Sequence, residues 1–382
     1  SLPHNDEETS KELWTTFLKF RKDCKIMSRE KRRAEWEGYI QNVSDAFRQD
    51  HKQLWTLLRR VMPSRGKKGR VELNPMQARN GSLATTEEEI MEVWTEHQQG
   101  LGTPRTGCWD KQHTEKVRRE VEHFAAHPAP PDAEIDKDFT QDEVKEALEH
   151  VKDYKSPSDD GTTYTMFKRG GPPMLEQLCK LFSYLNKKEA TPSNWGTAVI
   201  VNIFKEGDEA NRTSTDDYRG IALISCLGKL YLSIWARRIT RHAEKRLDKQ
   251  QGGFTSRRST PDQVLSLWET LQGRQRLDKP TFLFFIDFRK AFDTVWHDGL
   301  WNQLWKSGVQ GKAWRILRHL YGNVRAQVRV GDRLTKPVRM RQGVRQGCPL
   351  SPVLFNLFVD ELAQRLRAAG YGVGLTDQEL HA

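Results

Sequence analysis

One aspartate at the end of an apolar run stands in a setting that suggests chemistry. Asp287 follows five apolar residues, 282–286, and the run 281–288 predicts a largely buried strand whose end emerges at a surface. A buried, unpaired carboxylate is costly, so Asp287 requires a compensating partner. A metal ion or a nearby Arg or Lys would serve, but a strand-end Asp is also a common turn or cap residue. The run alone leaves these alternatives open.

Two further segments would act with Asp287 if the fold brings them together. Residues 289–295 lead into a predicted helix whose apolar side chains share one side. Residues 345–352 open another predicted helix, which continues to residue 366. Ser351 and Pro352 make a suitable N-cap and first-turn pair for that helix.

The amino-acid sequences of these two segments resemble those of a known family. Asp-Phe-Arg-Lys-Ala-Phe-Asp at 287–293 and Arg-Gln-Gly-Cys-Pro-Leu-Ser-Pro at 345–352 resemble motifs A and B of reverse transcriptases, specifically those of non-LTR (LINE-type) retrotransposons. Other segments resemble further blocks of that family in the same order, namely 155–161, 204–208 with 217–221, 251–260 and 370–375. The resemblance covers about residues 150–375.

The resemblance implies template-directed nucleotidyl transfer. A primer 3′-hydroxyl attacks the α-phosphate of a nucleotide, and two Mg²⁺ ions activate the hydroxyl and stabilise the leaving pyrophosphate. Mg²⁺ prefers oxygen ligands, so Asp287 is the expected catalytic residue and metal ligand, with the Phe288 carbonyl as a further ligand. The implied partners are an RNA template, a DNA primer and deoxynucleoside triphosphates.

Five residues match the family's nucleotide-binding positions. Lys205 and Arg219 match the positions that hold the incoming triphosphate, which requires cations outside the metal sphere. Phe292 matches the position whose bulk excludes a ribose 2′-hydroxyl, with core packing as its alternative. Gln346 and Gly347 match the motif B loop near the templating pair, and their alternative role is a tight turn before a helix.

A basic run precedes the second motif. Arg339, Arg341 and Arg345 are interpreted as facing the template–primer backbone, with a solvated edge as the alternative. Asp293 resembles the family's second motif A acid and is interpreted as a helix-capping residue rather than a metal ligand.

The sequence contains no Ala-Asp-Asp segment, which in this family supplies the further carboxylates of motif C. Motif C and the thumb are therefore expected to be missing from this chain, whether because it is a fragment or a degenerate copy. Because one aspartate cannot organise two Mg²⁺ ions, we expect this polypeptide alone to have little or no polymerase activity.

The helices and strands that the sequence predicts around these residues indicate an α+β fold. Strands at 197–204, 281–288 and 324–330 alternate with helices, including an apolar one at 221–239 and one that Thr140 caps. The expected architecture is right-hand polymerase fingers and a partial palm, with helices backing an antiparallel sheet. A Pro-rich stretch at 126–131 divides a helical, basic N-terminal region, 1–131, from the polymerase region, 132–382.

Composition agrees with an anionic partner. The 62 Lys and Arg residues exceed the 51 Asp and Glu residues and leave a net charge of +11. Basic segments such as the loop 64–70 could touch phosphates or could be solvated. No apolar run approaches the ~20 residues that span a bilayer, so no membrane partner is expected. The five cysteines, an odd number without a C-x-x-C pair, suit a reducing compartment, and the family implies action on nuclear DNA.

Two other functions compete with the polymerase. The first is a domesticated, non-catalytic module that holds RNA through its basic fingers. The second is another template-directed enzyme, such as a group II intron maturase or a viral RNA polymerase. The residues present in motifs A and B argue against this second alternative. The sequence does not indicate the oligomeric state.

Overall fold

The computed structural model describes residues 74–104, 109–152, 158, 161–205 and 211–370, with single residues between Thr15 and Gln41. The chain divides into two compact units, Ser1–Val71 and Glu72–Ala382. Some segments singled out above lie outside the described residues, namely 64–70, most of 155–160, 206–208 and 371–375. Within the described residues, no helix combines the length and apolar character that a membrane span requires.

The few described residues of the first unit are helical, as predicted for the N-terminal region. Arg33 and Glu37 lie one turn apart there, and their side chains pair at 2.8 Å on an exposed face. This pair is typical of a solvated helix surface.

The second unit begins with a short hairpin and two helices. Strands β1 (Met76–Gln77) and β2 (Leu83–Ala84) pair in antiparallel fashion, and helices α1 (Glu87–Gly102) and α2 (Lys111–Ala126) follow. Thr86 begins α1 with a capping box, because its side chain accepts from Glu89 N while the Glu89 carboxylate accepts from the Thr86 backbone.

Eight further helices follow in the described residues. They are α3 (Gln141–His150), α4 (Tyr164–Arg169), α5 (Gly171–Lys188), α6 (Cys226–Ala243), α7 (Thr260–Arg276), α8 (His297–Lys306), α9 (Gly311–Gly322) and α10 (Ser351–Ala368). Thr140 caps α3 with Glu143 as its capping-box partner, which confirms the predicted helix start. The largest fully buried side chains lie in one core on α5, α6 and α9, namely Phe182, Tyr231, Trp235, Trp314 and Tyr321.

The sheet is mixed. Its strands are β3 (Thr197–Phe204), β4 (Tyr218–Leu223), β5 (Arg325–Val330), β6 (Arg333–Leu334) and β7 (Val338–Arg339). β3 pairs with β4 in antiparallel fashion and with β5 in parallel, while β6 and β7 both return along the other edge of β5. The prediction of an antiparallel sheet is therefore correct for the β3–β4, β5–β6 and β5–β7 pairs but wrong for β3–β5.

One face of β5 carries α1. Ile90, Val93 and Trp94 of α1 form a buried cluster with Val328 and Val330 of β5. Helix α2 likewise contacts α8. The second compact unit thus begins well before the Pro-rich segment at 126–131, which lies inside it. The division after residue 131 into an N-terminal and a polymerase region stays a prediction.

Three details of the predicted elements are wrong. Residues 281–288 form no strand, and most of their side chains are exposed, Phe282 by 94%. Residues 221–223 belong to β4, so the apolar helix begins only at Cys226. Ser351 lies inside α10 rather than at its cap, and its hydroxyl donates to the Arg345 carbonyl at 2.8 Å.

Candidate functional site

A cavity of about 320 Å³ lies between α1, the β3–β4 hairpin and the loops before α8 and α10. This volume is at the lower end of typical small-ligand pockets. Its wall includes five of the residues that the sequence analysis assigned to nucleotide or nucleic acid, namely Lys205, Arg219, Phe292, Arg345 and Gln346. The fold therefore brings together side chains separated by up to 141 positions in the chain.

The β3–β4 hairpin positions the two cations predicted to hold a triphosphate. Phe204 pairs with Tyr218, and the Lys205 amide donates to the Asp217 carbonyl at 2.8 Å, just beyond the last ladder pair. Arg219 is paired with Ile203 on the neighbouring strand. Both cations therefore come from one end of a regular hairpin, which fixes their spacing.

The Asp216 carboxylate lines a neighbouring cavity and pairs with two cations, one of which, Lys290, lines both cavities. Lys290 Nζ lies 2.7 Å from its Oδ1, and Arg289 Nη2 lies 2.9 Å from its Oδ2. Lys205 Nζ donates to the Asp216 backbone carbonyl at 2.6 Å. The hydrogen bond from Lys290 is the main reason that the pKa of Asp216 is lowered. The three cations are thereby held close to one another.

The charge of the cavity wall favours an anionic ligand. Asp293 is the one carboxylate among the lining residues, against five cations, Lys205, Arg219, Lys290, Arg325 and Arg345. Burial raises the pKa of Asp293, although Lys290 and Lys205 oppose this shift. Asp293 does not cap α8, which begins at His297 with Trp296 as its N-cap, so the helix-capping interpretation is wrong.

Packing holds Phe292 in the cavity wall. Its ring centroid lies 5.2 Å from that of Phe355 and 5.9 Å from that of Phe254. Its backbone carbonyl accepts from Val344 N at 2.7 Å. The ring thus packs against other aromatic rings and also faces the cavity, so the two roles considered for it are compatible.

The loop before α10 attaches directly to the sheet. The Gln346 carbonyl accepts from Ala222 N of β4 at 2.8 Å. Gly347 has φ +102°, and a Cβ there would lie 3.2 Å from the Ala222 carbonyl oxygen. A residue with a side chain would be strained at this turn, so Gly347 allows the loop to approach β4 while Gln346 faces the cavity.

The three arginines of the basic run do not share one surface. Arg345 is 6% exposed, and its Nη1 donates to the Trp195 carbonyl at 2.6 Å. Arg339 and Arg341 are exposed and line a separate cavity. A template–primer role for these residues stays a prediction, and only Arg339 and Arg341 present their side chains on the surface.

Asp287 and Phe288 lie apart from the cavity. Both are exposed, and the segment 281–288 to which they belong pairs with no strand of the described residues. Their oxygen atoms are of the type that Mg²⁺ prefers, yet the described part of the chain contains no group of three or more His, Cys, Asp or Glu side chains able to hold a metal ion. The described residues therefore do not fit a two-metal site by themselves.

Sequence reasoning missed the contribution of α1. Trp94, His97, Gln98 and Leu101 line the cavity from one face of this helix. The apolar members of this face, Trp94 and Leu101, have the spacing of any core-facing helix. Nothing in their pattern distinguishes a cavity wall from ordinary packing.

The position of His97 in this wall makes stability sensitive to acid. Burial, and then the charge of Lys290, lowers the pKa of His97 from its ordinary 6.5 to about 4. Between these values the unfolded chain binds the proton and the folded chain does not, so stability falls as pH drops from 6.5 toward 4. We expect His97→Gln to reduce the decrease in melting temperature between pH 7 and pH 5.

The exposed His319 offers the matched control for this measurement. His319→Gln is expected to retain the wild-type dependence of melting temperature on pH. Equal slopes for the wild type and His97→Gln would show that His97 is not the source of the acid sensitivity.

Comparisons with known proteins show which family this chain resembles. Residues 203–376 match the family model described as reverse transcriptase (RNA-dependent DNA polymerase). The chain is 28% identical over 293 residues to the "Probable RNA-directed DNA polymerase from transposon BS" of Drosophila melanogaster, covering 75% of this chain and 31% of that protein.

Two other relatives also come from mobile elements. The Pol polyprotein of the type-1 retrotransposable element R2 of Popillia japonica is 30% identical over 230 residues, with 59% of this chain and 31% of the relative covered. The RNA-directed DNA polymerase from mobile element jockey of Drosophila melanogaster is 23% identical over 340 residues, with 88% and 35% covered. The chain spans about a third of the length of these curated relatives.

Proposed function

The chain carries a reverse transcriptase domain of the non-LTR retrotransposon type, and from this premise we propose that it is the polymerase region of a protein that copies an RNA template into DNA from a DNA primer. The observation that carries the proposal is the cavity that gathers Lys205, Arg219, Phe292 and Gln346. We propose that this cavity binds the incoming deoxynucleoside triphosphate. Action on nuclear DNA is part of the same proposal.

Each side chain then has a defined task. Lys205 and Arg219, with Lys290, bind phosphate oxygens through charge-assisted hydrogen bonds. Asp216 holds Lys290 through its carboxylate and Lys205 through its backbone carbonyl, so these two cations are already near one another and need little ordering on binding. The Phe292 ring limits the space beside the sugar, and the Gln346 amide is available to the base or the templating nucleotide.

Reverse transcriptases generally use divalent metal ions. We propose that the complete protein uses two Mg²⁺ ions, with Asp287 as the catalytic ligand and Phe288 as a carbonyl ligand. In this chain both residues are exposed and lie outside the cavity, so the residues present do not form that site. No step of the mechanism above depends on a bound metal.

The first test is primer extension by the 382-residue protein. We expect little or no Mg²⁺-dependent synthesis on an RNA template with an annealed DNA primer, since Asp287 stands alone outside the cavity. The reaction is followed on a denaturing gel with a commercial reverse transcriptase as positive control. Robust extension by this polypeptide would contradict the expectation and would require a catalytic site built from other carboxylates.

The second test concerns the sugar. Replacing Phe292 by valine removes an aromatic ring from the cavity wall, and we expect the affinity for ATP relative to dATP to rise by roughly tenfold, the lower end of the discrimination that one steric contact provides. Competition against a fluorescent deoxynucleotide measures both affinities.

Phe284→Val is the control for the Phe292 variant, since Phe284 is 89% exposed and lies outside the cavity. It is expected to keep the wild-type ratio of ATP to dATP affinity. An unchanged ratio in Phe292→Val as well would assign Phe292 to core packing alone.

A further inference from the structure

Helix α1 places one polar side chain in the cavity without a partner. Gln98 is 5% exposed, and its amide makes no hydrogen bond within the part of the chain that the structure describes. The amide atoms of Gln98 are not among the fully buried polar atoms that lack a partner, so they reach the space of the cavity. Its side chain lines the cavity, so a ligand there would be able to supply the missing partner.

The position of Gln98 is fixed by contacts at the end of α1. The Gln342 amide donates to the Leu101 carbonyl at 2.7 Å, and Arg341 N donates to the Gly102 carbonyl at 2.8 Å. A Cβ on Gly102 would lie 2.8 Å from Met340 Sδ, so the helix end approaches the chain before α10 as closely as a glycine permits. One turn before Gln98, the Trp94 ring packs edge-on against the Tyr218 ring, with 5.4 Å between the ring centroids.

The chemistry of Gln98 differs from that of the cations that line the same cavity. Lys205, Arg219 and Lys290 suit phosphate oxygens, whereas an amide is neutral and presents both donors and an acceptor. His97, beside Gln98, is neutral at physiological pH because its pKa is lowered to about 4. A ligand that carries both anionic groups and neutral polar groups matches these two kinds of side chain.

We propose that Gln98 hydrogen-bonds the base or deoxyribose of the nucleotide whose triphosphate the cations hold. Helix α1 is then a wall of the nucleotide site, although it lies outside the matched residues 203–376. The inference rests on the proposed nucleotide-binding function and adds a specificity residue to it.

The experiment compares two ligands that share the phosphates. Isothermal titration calorimetry on the 382-residue protein measures binding of dATP and of inorganic tripolyphosphate, which has no base or sugar. Gln98→Leu is expected to weaken dATP binding roughly three- to tenfold, as for loss of one neutral hydrogen bond, and to leave tripolyphosphate binding unchanged. Gln98→Asn keeps the amide but moves it away from the ligand by one methylene. The same selective loss of dATP affinity is expected. The exposed neighbour Gln99, changed to leucine, is the control.

The outcomes separate the inference from its premise. Selective loss of dATP affinity in Gln98→Leu and Gln98→Asn, with Gln99→Leu like the wild type, supports the inference. Equal losses for both ligands assign Gln98 to the structure of the cavity and overturn it, as does unchanged dATP binding in both variants. If the wild-type protein binds neither ligand, the proposed nucleotide-binding function itself fails.

Discussion

Replacing Arg238 by methionine is expected to lower the free energy of unfolding by about 3–5 kcal/mol, the usual result of removing one partner of a buried ion pair. Arg238 lies on α6 and is 5% exposed. Its guanidinium donates to both oxygens of Glu143, Nε at 2.8 Å and Nη2 at 2.7 Å. The change therefore leaves a largely buried carboxylate without its cation.

The same guanidinium also satisfies backbone carbonyls. It donates to Ile135 O at 2.8 Å, to Lys137 O at 2.6 Å and to Asp138 O at 3.0 Å, which ties the segment before α3 to α6. The Phe139 ring lies 4.4 Å from the guanidinium carbon and adds a cation–π contact. Methionine replaces the volume but none of these hydrogen bonds.

Chemical denaturation followed by tryptophan fluorescence measures this effect, since the buried Trp235 lies beside Arg238. Arg241→Met, on the exposed face of the same helix, is the control and is expected to change stability by less than about 0.5 kcal/mol. Adding Glu143→Gln to Arg238→Met should recover part of the loss, because the unpaired charge is removed while a side-chain acceptor remains for the α3 cap. A loss below about 1 kcal/mol in Arg238→Met would contradict the structural role assigned to this pair.

Replacing Lys205 by alanine is expected to weaken triphosphate binding roughly 10- to 100-fold, which corresponds to one or two charge-assisted hydrogen bonds. Lys205 stands just past the end of β3, lines the cavity and donates to the Asp216 carbonyl at 2.6 Å. The adjacent β3–β4 ladder is made by backbone atoms, so the variant should keep its fold. Calorimetric titration with dATP measures the loss.

Lys187 supplies a matched control, since it is an exposed lysine on α5 that does not line the cavity. Lys187→Ala is expected to bind dATP as the wild type does, and Lys205→Arg to retain part of the affinity because the charge remains. Wild-type affinity in Lys205→Ala would place the triphosphate elsewhere on the protein.

The sequence predicted those elements whose local signals and long-range pairing agree. The strand at 197–204, the turn after Val330 and the helix from Ser351 all form as expected. In β5 the burial alternates as its residues do, with Ala326, Val328 and Val330 facing inward. In these segments the local sequence pattern and the tertiary contacts favour the same secondary structure.

Local pattern failed where a distant partner decides the outcome. Residues 221–223 are as apolar as the helix that follows, but they pair with β3, and this pairing overrides the helical pattern. Residues 281–288 have strong strand propensity, yet a strand requires a neighbour for its backbone groups, and none pairs with them in the described residues. Propensity alone could not indicate whether that neighbour is present.

The candidate site was likewise predictable only in part from the sequence. The resemblance to family motifs predicted that Lys205, Arg219, Phe292 and Gln346 act together, and one cavity contains all four. Their roles stay predictions until ligands are measured. The α1 wall was missed because Gln98 belongs to no motif, and its importance depends on the close approach of Gly102 to Met340, a contact between segments more than two hundred residues apart.

Photo-crosslinking with a base-azido derivative of dATP, followed by peptide mapping, tests most directly whether this cavity is the nucleotide site. The expected result is label on residues 94–101, 290–293 or 342–346 that unlabelled dATP suppresses and that Lys205→Ala greatly reduces. Label confined to other surfaces, such as the exposed face of α7, or label that dATP does not displace, would contradict the assignment of the cavity as the nucleotide site.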